Sequence, residues 1–151
     1  MKFLFLLFIP LFGITQTPEK FIKNYAHLAK NEQQRTGVPT SVQLALGMMI
    51  SKNETTYVSK DCNNIFYLRC YSNKCKKGHC KGFEHKKYYY IFQHPTIGWK
   101  YNNNRLKKYK NKNYKNFCNN LKKGSYLQEH NLTVGGLLLT IKKYKLYEYD
   151  K

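Results

Sequence analysis

Between Val42 and Ile50 the chain carries Val42, Leu44, Ala45, Leu46, Met48, Met49 and Ile50, interrupted only by Gln43 and Gly47. At helical periodicity these apolar residues fall nearly all round the axis. A helix apolar on every side has to be enclosed by the rest of the domain. This segment therefore sets the architecture as one central helix with other elements built around it. Thr40 or Ser41 supplies its cap, and Thr36-Gly37-Val38-Pro39 breaks the chain ahead of it. The preceding helix opens at Thr17-Pro18, a capping threonine followed by a proline suited to the first helical position. Phe21, Ile22, Tyr25, Leu28 and Ala29 recur at helical spacing behind it, a stripe for burial that runs to about Arg35. With 151 residues there is material for one domain and one core.

The middle of the chain changes character. From Tyr67 to about Phe92 it is rich in Tyr, Phe, Cys, Lys and Gly. Tyr67–Tyr71 and Lys87–Phe92 are the strand candidates, flanking a turn region from Asn73 to Gly82. His94-Pro95 breaks the chain, and Lys100–Lys115 is a Lys/Asn/Tyr stretch, read either as a basic helix or as a loop. The expected class is mainly α (α+β), helical with one short β-hairpin.

Residues 1–15 have the pattern of a secretory signal. Lys2 is the charged start, Phe3–Phe12 the apolar run, and Gly13-Ile14-Thr15 the cleavage region. The run is shorter than the roughly 20 residues of a membrane span, so residues 16–151 are expected as the exported, mature domain. The expected location is secreted or periplasmic, in a bacterium.

Five cysteines follow: Cys62, Cys70, Cys75, Cys80 and Cys118. In an oxidising compartment an odd count implies disulfides plus one thiol. Cys70, Cys75 and Cys80 stand near His79 and His85, but their spacing does not match short zinc knuckles, so no metal is expected. A hairpin centred near Cys75 would place Cys70 and Cys80 on facing strands, close enough to bridge. The formal net charge of +19 calls for an anionic partner or for a solvated lysine-rich surface. No cofactor motif, G-x-S-x-G, H-E-x-x-H or phosphate loop is present. His27, His79, His85, His94 and His130 fit no nucleophile–base pattern.

The run L-A-L-G-M-M-I-S, followed by N-N-I-F, resembles the glucosaminidase family of peptidoglycan hydrolases, which has a lysozyme-like fold. That family reads L-A-Q-G-x-L-E-S and then N-N-x-F-G-I-K. Leu44, Ala45, Gly47, Ser51, Asn63, Asn64 and Phe66 match it. Tyr88-Tyr89-Tyr90-Ile91-Phe92 resembles the family's hairpin strand, and Trp99 starts a segment like the helix after it. Tyr114–Lys123 is similar to Y-K-G-W-A-x-x-L-K-K. Gly135–Tyr147 is similar to the closing helix, with Leu146-Tyr147-Glu148-Tyr149-Asp150 at its end. The resemblance spans about Pro18–Asp150.

The resemblance also locates what has changed. The family's general-acid glutamate falls on Ile50, and isoleucine cannot protonate a leaving oxygen. The acidic hairpin cluster is replaced by Phe83-Glu84-His85-Lys86, and the expected catalytic tyrosine falls near Leu132. Fallback acids are Glu54 and Glu84, whereas Glu19, Glu32, Glu129 and Glu148 lie where the family shows no chemistry. Carried over as glycan-binding residues are Ser51, Asn63, Asn64, Phe66, Tyr67 and Tyr126. The asparagines also suit backbone turns. Tyr67, Tyr71, Tyr88, Tyr90 and Trp99 offer flat faces for sugars or side chains for the core. Cys62 and Cys118 fall on alanine positions of the family's packed helices, which makes them a second candidate pair.

Three functions are compatible with these residues. The first is an inactive glucosaminidase-like protein that binds peptidoglycan or another anionic envelope polymer. The second is a divergent endo-β-N-acetylglucosaminidase with a relocated acid. The third is a cationic effector that binds membrane or nucleic acid, with nucleic acid the less favoured partner.

Overall fold

The computed structural model describes residues 16–71, 80–83, 87–109 and 111–151, with backbone alone for 80–83 and 87. The expected signal segment, Cys75 and Glu84 lie outside the described residues. The described residues are mainly α with one small antiparallel sheet. In order the chain runs α1 (Pro18–Thr36), α2 (Thr40–Ser51), α3 (Tyr57–Lys60), β1 (Cys80–Phe83), β2 (Lys87–Tyr90), α4 (Pro95–Leu106), α5 (Tyr114–Lys122), α6 (Tyr126–Glu129) and α7 (Val134–Lys143). Short 3-10 turns follow α4, at Lys107–Tyr109, and close the chain at Leu146–Asp150.

α1 begins and ends where its sequence directs. Thr17 Oγ1 accepts from Lys20 N, and Gly37 at φ 75 terminates the helix by donating to Gln33 O at 2.7 Å. Its buried face is Phe21, Ile22, Tyr25, Ala29 and Glu32. α2 lies at the centre, against α1, α5, α7 and the C-terminal turn. All of its residues except Met49 are buried. Gly47 lets α1 approach, since a Cβ there would meet the Phe21 ring at 2.9 Å and Ile65 at 3.3 Å.

The N-terminus of α2 is capped from a distance. Pro39 precedes it and makes no side-chain cap. Instead Gln33 Oε1 accepts from Thr40 N at 2.6 Å and from Thr40 Oγ1 at 2.8 Å. Asp150 accepts from Ser41 N at 2.8 Å and from Ser41 Oγ at 2.7 Å. A carboxylate at this end also complements the helix dipole. Gln43, buried inside the helix bundle, donates to Ala29 O and Val38 O and accepts from Asn103 Nδ2. A buried amide is tolerated there because its bonding capacity is largely used.

The hairpin lies within the expected stretch, but its strands differ from those expected. β1 pairs with β2 in the register Cys80↔Tyr90, Lys81↔Tyr89, Gly82↔Tyr88 and Phe83↔Lys87. The segment around Arg69 joins the opposite edge of β2, through Arg69↔Tyr89, Cys70 N to Tyr88 O and Tyr90 N to Leu68 O. A three-residue connection closes at lower entropic cost than a longer one, which favours Cys80–Phe83 as the partner of β2.

This register corrects the Cys70–Cys80 expectation. The two cysteines flank β2 on opposite edges, two strand spacings or about 10 Å apart, whereas a bridge spans less than about 7 Å. Cys70 is disulfide-bonded, to a partner outside the described side chains. The Cys62–Cys118 expectation is also corrected, because both are buried and neither is in a disulfide. Burial pushes the Cys118 thiol up to about 12, so it remains protonated and unreactive. Of the ambiguous Lys100–Lys115 stretch, the first part continues α4 and the last opens α5.

Candidate functional site

The segment carrying Asn63 and Asn64 ties the helical body to the sheet. Asn64 is fully buried and holds both edges of the local backbone. Its Oδ1 accepts from Leu68 N, and its Nδ2 donates to Leu68 O and Tyr90 O. Asn63, in the left-handed region at φ 49, donates to Phe92 O and Gln93 O. Asparagine enters that region at little cost. Phe66 is fully buried, edge-on to Trp99 with centroids 4.9 Å apart. The N-N-x-F residues thus pin the chain to β2 and set the path of residues 67–71.

That path forms one wall of a groove of about 480 Å³. Tyr67, Leu68, Arg69 and Tyr71 line one side, with Tyr90 from β2. Tyr101 and Arg105 from α4, Glu129 from α6 and the adjacent His130 complete it. Tyr67 stands at φ 47, a strained backbone for an aromatic residue. Such strain is held by surrounding structure and gathers at functional sites. Tyr71 and Tyr101 are exposed, while the Tyr90 ring lies tilted against that of Tyr101, with centroids 5.5 Å apart. The groove therefore offers tyrosine faces together with two guanidinium groups, one carboxylate and one imidazole.

The charged groups have definite states. Arg105 Nη2 pairs with Glu129 Oε2 at 2.7 Å, and Ser125 Oγ donates to Glu129 Oε1 at 3.1 Å. Burial pushes the Glu129 carboxyl up, but Arg105, with Ser125 and His130, outweighs it and holds the group below the usual range. Glu129 is therefore ionised at neutral pH. Burial pushes His130 down to about 4; Glu129 opposes this, and Arg105 and Arg69 add to it. The imidazole is neutral at pH 7, packed on the Tyr126 ring at 4.9 Å, with its buried Nε2 unpartnered. Arg69 is hydrogen-bonded by the phenols of Tyr71 and Tyr89, which favour its charged form.

Of the six residues carried over as glycan-binding, only Tyr67 lines the groove. Ser51 is buried, donating to Gly47 O and accepting from Glu54 N, which closes α2. Tyr126 is buried and donates to Asn102 Oδ1 at 2.7 Å. Asn63, Asn64 and Phe66 serve the backbone and core as described above. Of the five proposed aromatic faces, Tyr71 and Tyr90 also line the groove, Trp99 is in the core, and Tyr88 is exposed elsewhere.

Ile50 is buried in the core and does not line the groove. Leu132 packs against the core before α7. Glu54 follows a left-handed turn in which Lys52, Asn53 and Glu54 have φ 50, 57 and 64. The turn directs its carboxylate to α1, where Oε1 accepts from Tyr25 OH at 2.5 Å and Oε2 from Gln16 at 2.7 Å. Sequence reasoning missed Arg69, Tyr101, Arg105, Glu129 and His130. The nearest local hint was Leu132, where the resemblance expects a catalytic tyrosine.

Among the described residues, no helix is long and apolar enough to cross a membrane. None of their His, Cys, Asp and Glu side chains gather in threes to hold a metal.

No family model and no curated protein matches the sequence. Solved structures do match. The catalytic domain of the autolysin Auto from Listeria monocytogenes aligns with 87% of this chain and 86% of its own, at 18% identity and TM-score 0.63. The glycoside hydrolase domain of FlgJ from Salmonella typhimurium aligns with 87% and 91%, at 14% identity and TM-score 0.68. An N-acetylmuramoyl-L-alanine amidase from Staphylococcus aureus aligns over 89% of this chain but 43% of that one, at 18% identity and TM-score 0.68. The chain thus carries the fold of these autolysin and glycoside hydrolase domains, as the sequence resemblance to peptidoglycan hydrolases implies.

Proposed function

We propose that this protein is exported to the bacterial envelope, holds a peptidoglycan glycan in the tyrosine-lined groove, and does not cleave it. One observation carries the reading. The only described carboxylate in the groove is Glu129, and Arg105 keeps it ionised. A glycosidase general acid needs a raised pKa so that it holds a proton at working pH. At the family's acid position stands a buried isoleucine. Glu54, the fallback on α2's exit, is bound to α1. Loss of the acid removes roughly 10²–10⁴-fold of rate. Binding needs less: flat aromatic faces and polar groups at their edges.

The test pairs activity with binding. Mature protein is incubated with purified cell wall, and release of reducing sugar is measured beside sedimentation with insoluble peptidoglycan. The expected outcome is co-sedimentation without release. Turnover by wild type that disappears in Glu54→Gln, Glu84→Gln or Glu129→Gln would instead establish a divergent hydrolase. Mass spectrometry of the exported protein tests cleavage after Thr15.

A further inference from the structure

We infer that the groove selects a carboxylate-bearing glycan over a neutral one, and that Arg69 is the residue that reads the carboxylate. The inference rests on the groove being the glycan site. Two guanidinium groups face one carboxylate there. Arg105 is matched by Glu129. No carboxylate among the described residues is paired with Arg69, and its described partners are the phenols of Tyr71 and Tyr89. Those phenols orient the guanidinium without neutralising it. With His130 neutral, the described lining of the groove carries a net positive charge at pH 7.

A neutral sugar would leave that charge without a counter-ion. An anionic group on the ligand gains a charge-assisted hydrogen bond to a donor already held in place. The planar fork of arginine suits a carboxylate in particular. Tyr67, Tyr71, Tyr90 and Tyr101 would meet the ring faces, so the carboxylate projects from the edge of the sugar or from a substituent beside it.

Calorimetry with three probes tests this: an N-acetylglucosamine tetrasaccharide, a peptide-free tetrasaccharide containing N-acetylmuramic acid, and the latter bearing peptide stems. The first is neutral. The second carries its carboxylate on the sugar, and the third on the peptide. Wild type is expected to bind at least one acidic probe about 10-fold or more tightly than the neutral one, with the gap narrowing at high salt. Which acidic probe wins identifies the source of the carboxylate. Arg69→Gln is expected to erase the preference, Arg69→Lys to restore part of it, and Lys143→Gln, outside the groove, to leave it intact. Circular dichroism melting confirms that each variant is folded.

Equal wild-type affinity for neutral and acidic probes would overturn the selectivity while leaving the glycan site standing. Preference surviving in folded Arg69→Gln would overturn the role of Arg69. Binding of none of the three would overturn the glycan site itself.

Discussion

Tyr25 donates to Glu54 across 2.5 Å, joining the middle of α1 to the turn that leaves α2. The bond occupies the carboxylate closest in sequence to the family's acid position. It also ties down a turn of three left-handed residues, of which Lys52 and Glu54 are each unfavourable by roughly 1–2 kcal/mol in an unconstrained chain. Burial first, then Glu54, pushes the Tyr25 phenol far above its ordinary value, so the phenol is always the donor.

Tyr25→Phe keeps the ring on Phe21 and Trp99 and removes only the bond. The expected loss is about 1–2 kcal/mol in urea unfolding, with glycan binding unchanged. Loss of binding with full stability would place Glu54 in the site.

Ile50→Glu is expected not to create hydrolysis. The side chain is buried in the core, and burying an unpaired polar group costs roughly 1–3 kcal/mol. Catalytic groups act as a unit, so one returned group recovers little. Reducing-sugar release and the melting temperature of the variant check both points; turnover above the wild-type background would refute the argument.

Asp150→Ala removes the distant cap of α2 and leaves Ser41 N without its acceptor. By analogy with ordinary helix caps the cost is about 1–2 kcal/mol. Ser41→Ala should cost less, since the backbone bond to Asp150 remains. A double-mutant cycle by chemical denaturation measures the coupling.

His130 makes stability depend on pH. Its folded value of about 4 lies below the unfolded value near 6.5. The unfolded chain therefore binds more protons between those limits, and stability falls as pH drops from about 6.5 to about 4. Allowing for partial exposure, the loss is about 1–2 kcal/mol. Denaturant unfolding at pH 7.5 and 4.5 is expected to show this loss in wild type and a smaller one in His130→Gln. An NMR titration that finds His130 near 6.5 would remove the basis for it.

The helical body was legible in the sequence because its determinants are local. Thr17-Pro18, the Phe21–Ala29 stripe, Gly37 and the apolar run to Ile50 each act within a few residues, and they set α1, α2 and the mainly α class. The groove was not legible. Arg69, Arg105, Glu129 and His130 come from three separate stretches of chain, and each reads alone as an ordinary surface residue. Asn64 fits a turn and a ligand site equally well until its three backbone bonds are seen. Strand identity shows the same limit. Tyr67–Tyr71 and Cys80–Phe83 compete for β2, and the structure seats them on opposite edges, which separates Cys70 from Cys80. Periodicity and caps are properties of neighbours along the chain, whereas charge pairing, register and groove walls exist only between segments that the fold brings together.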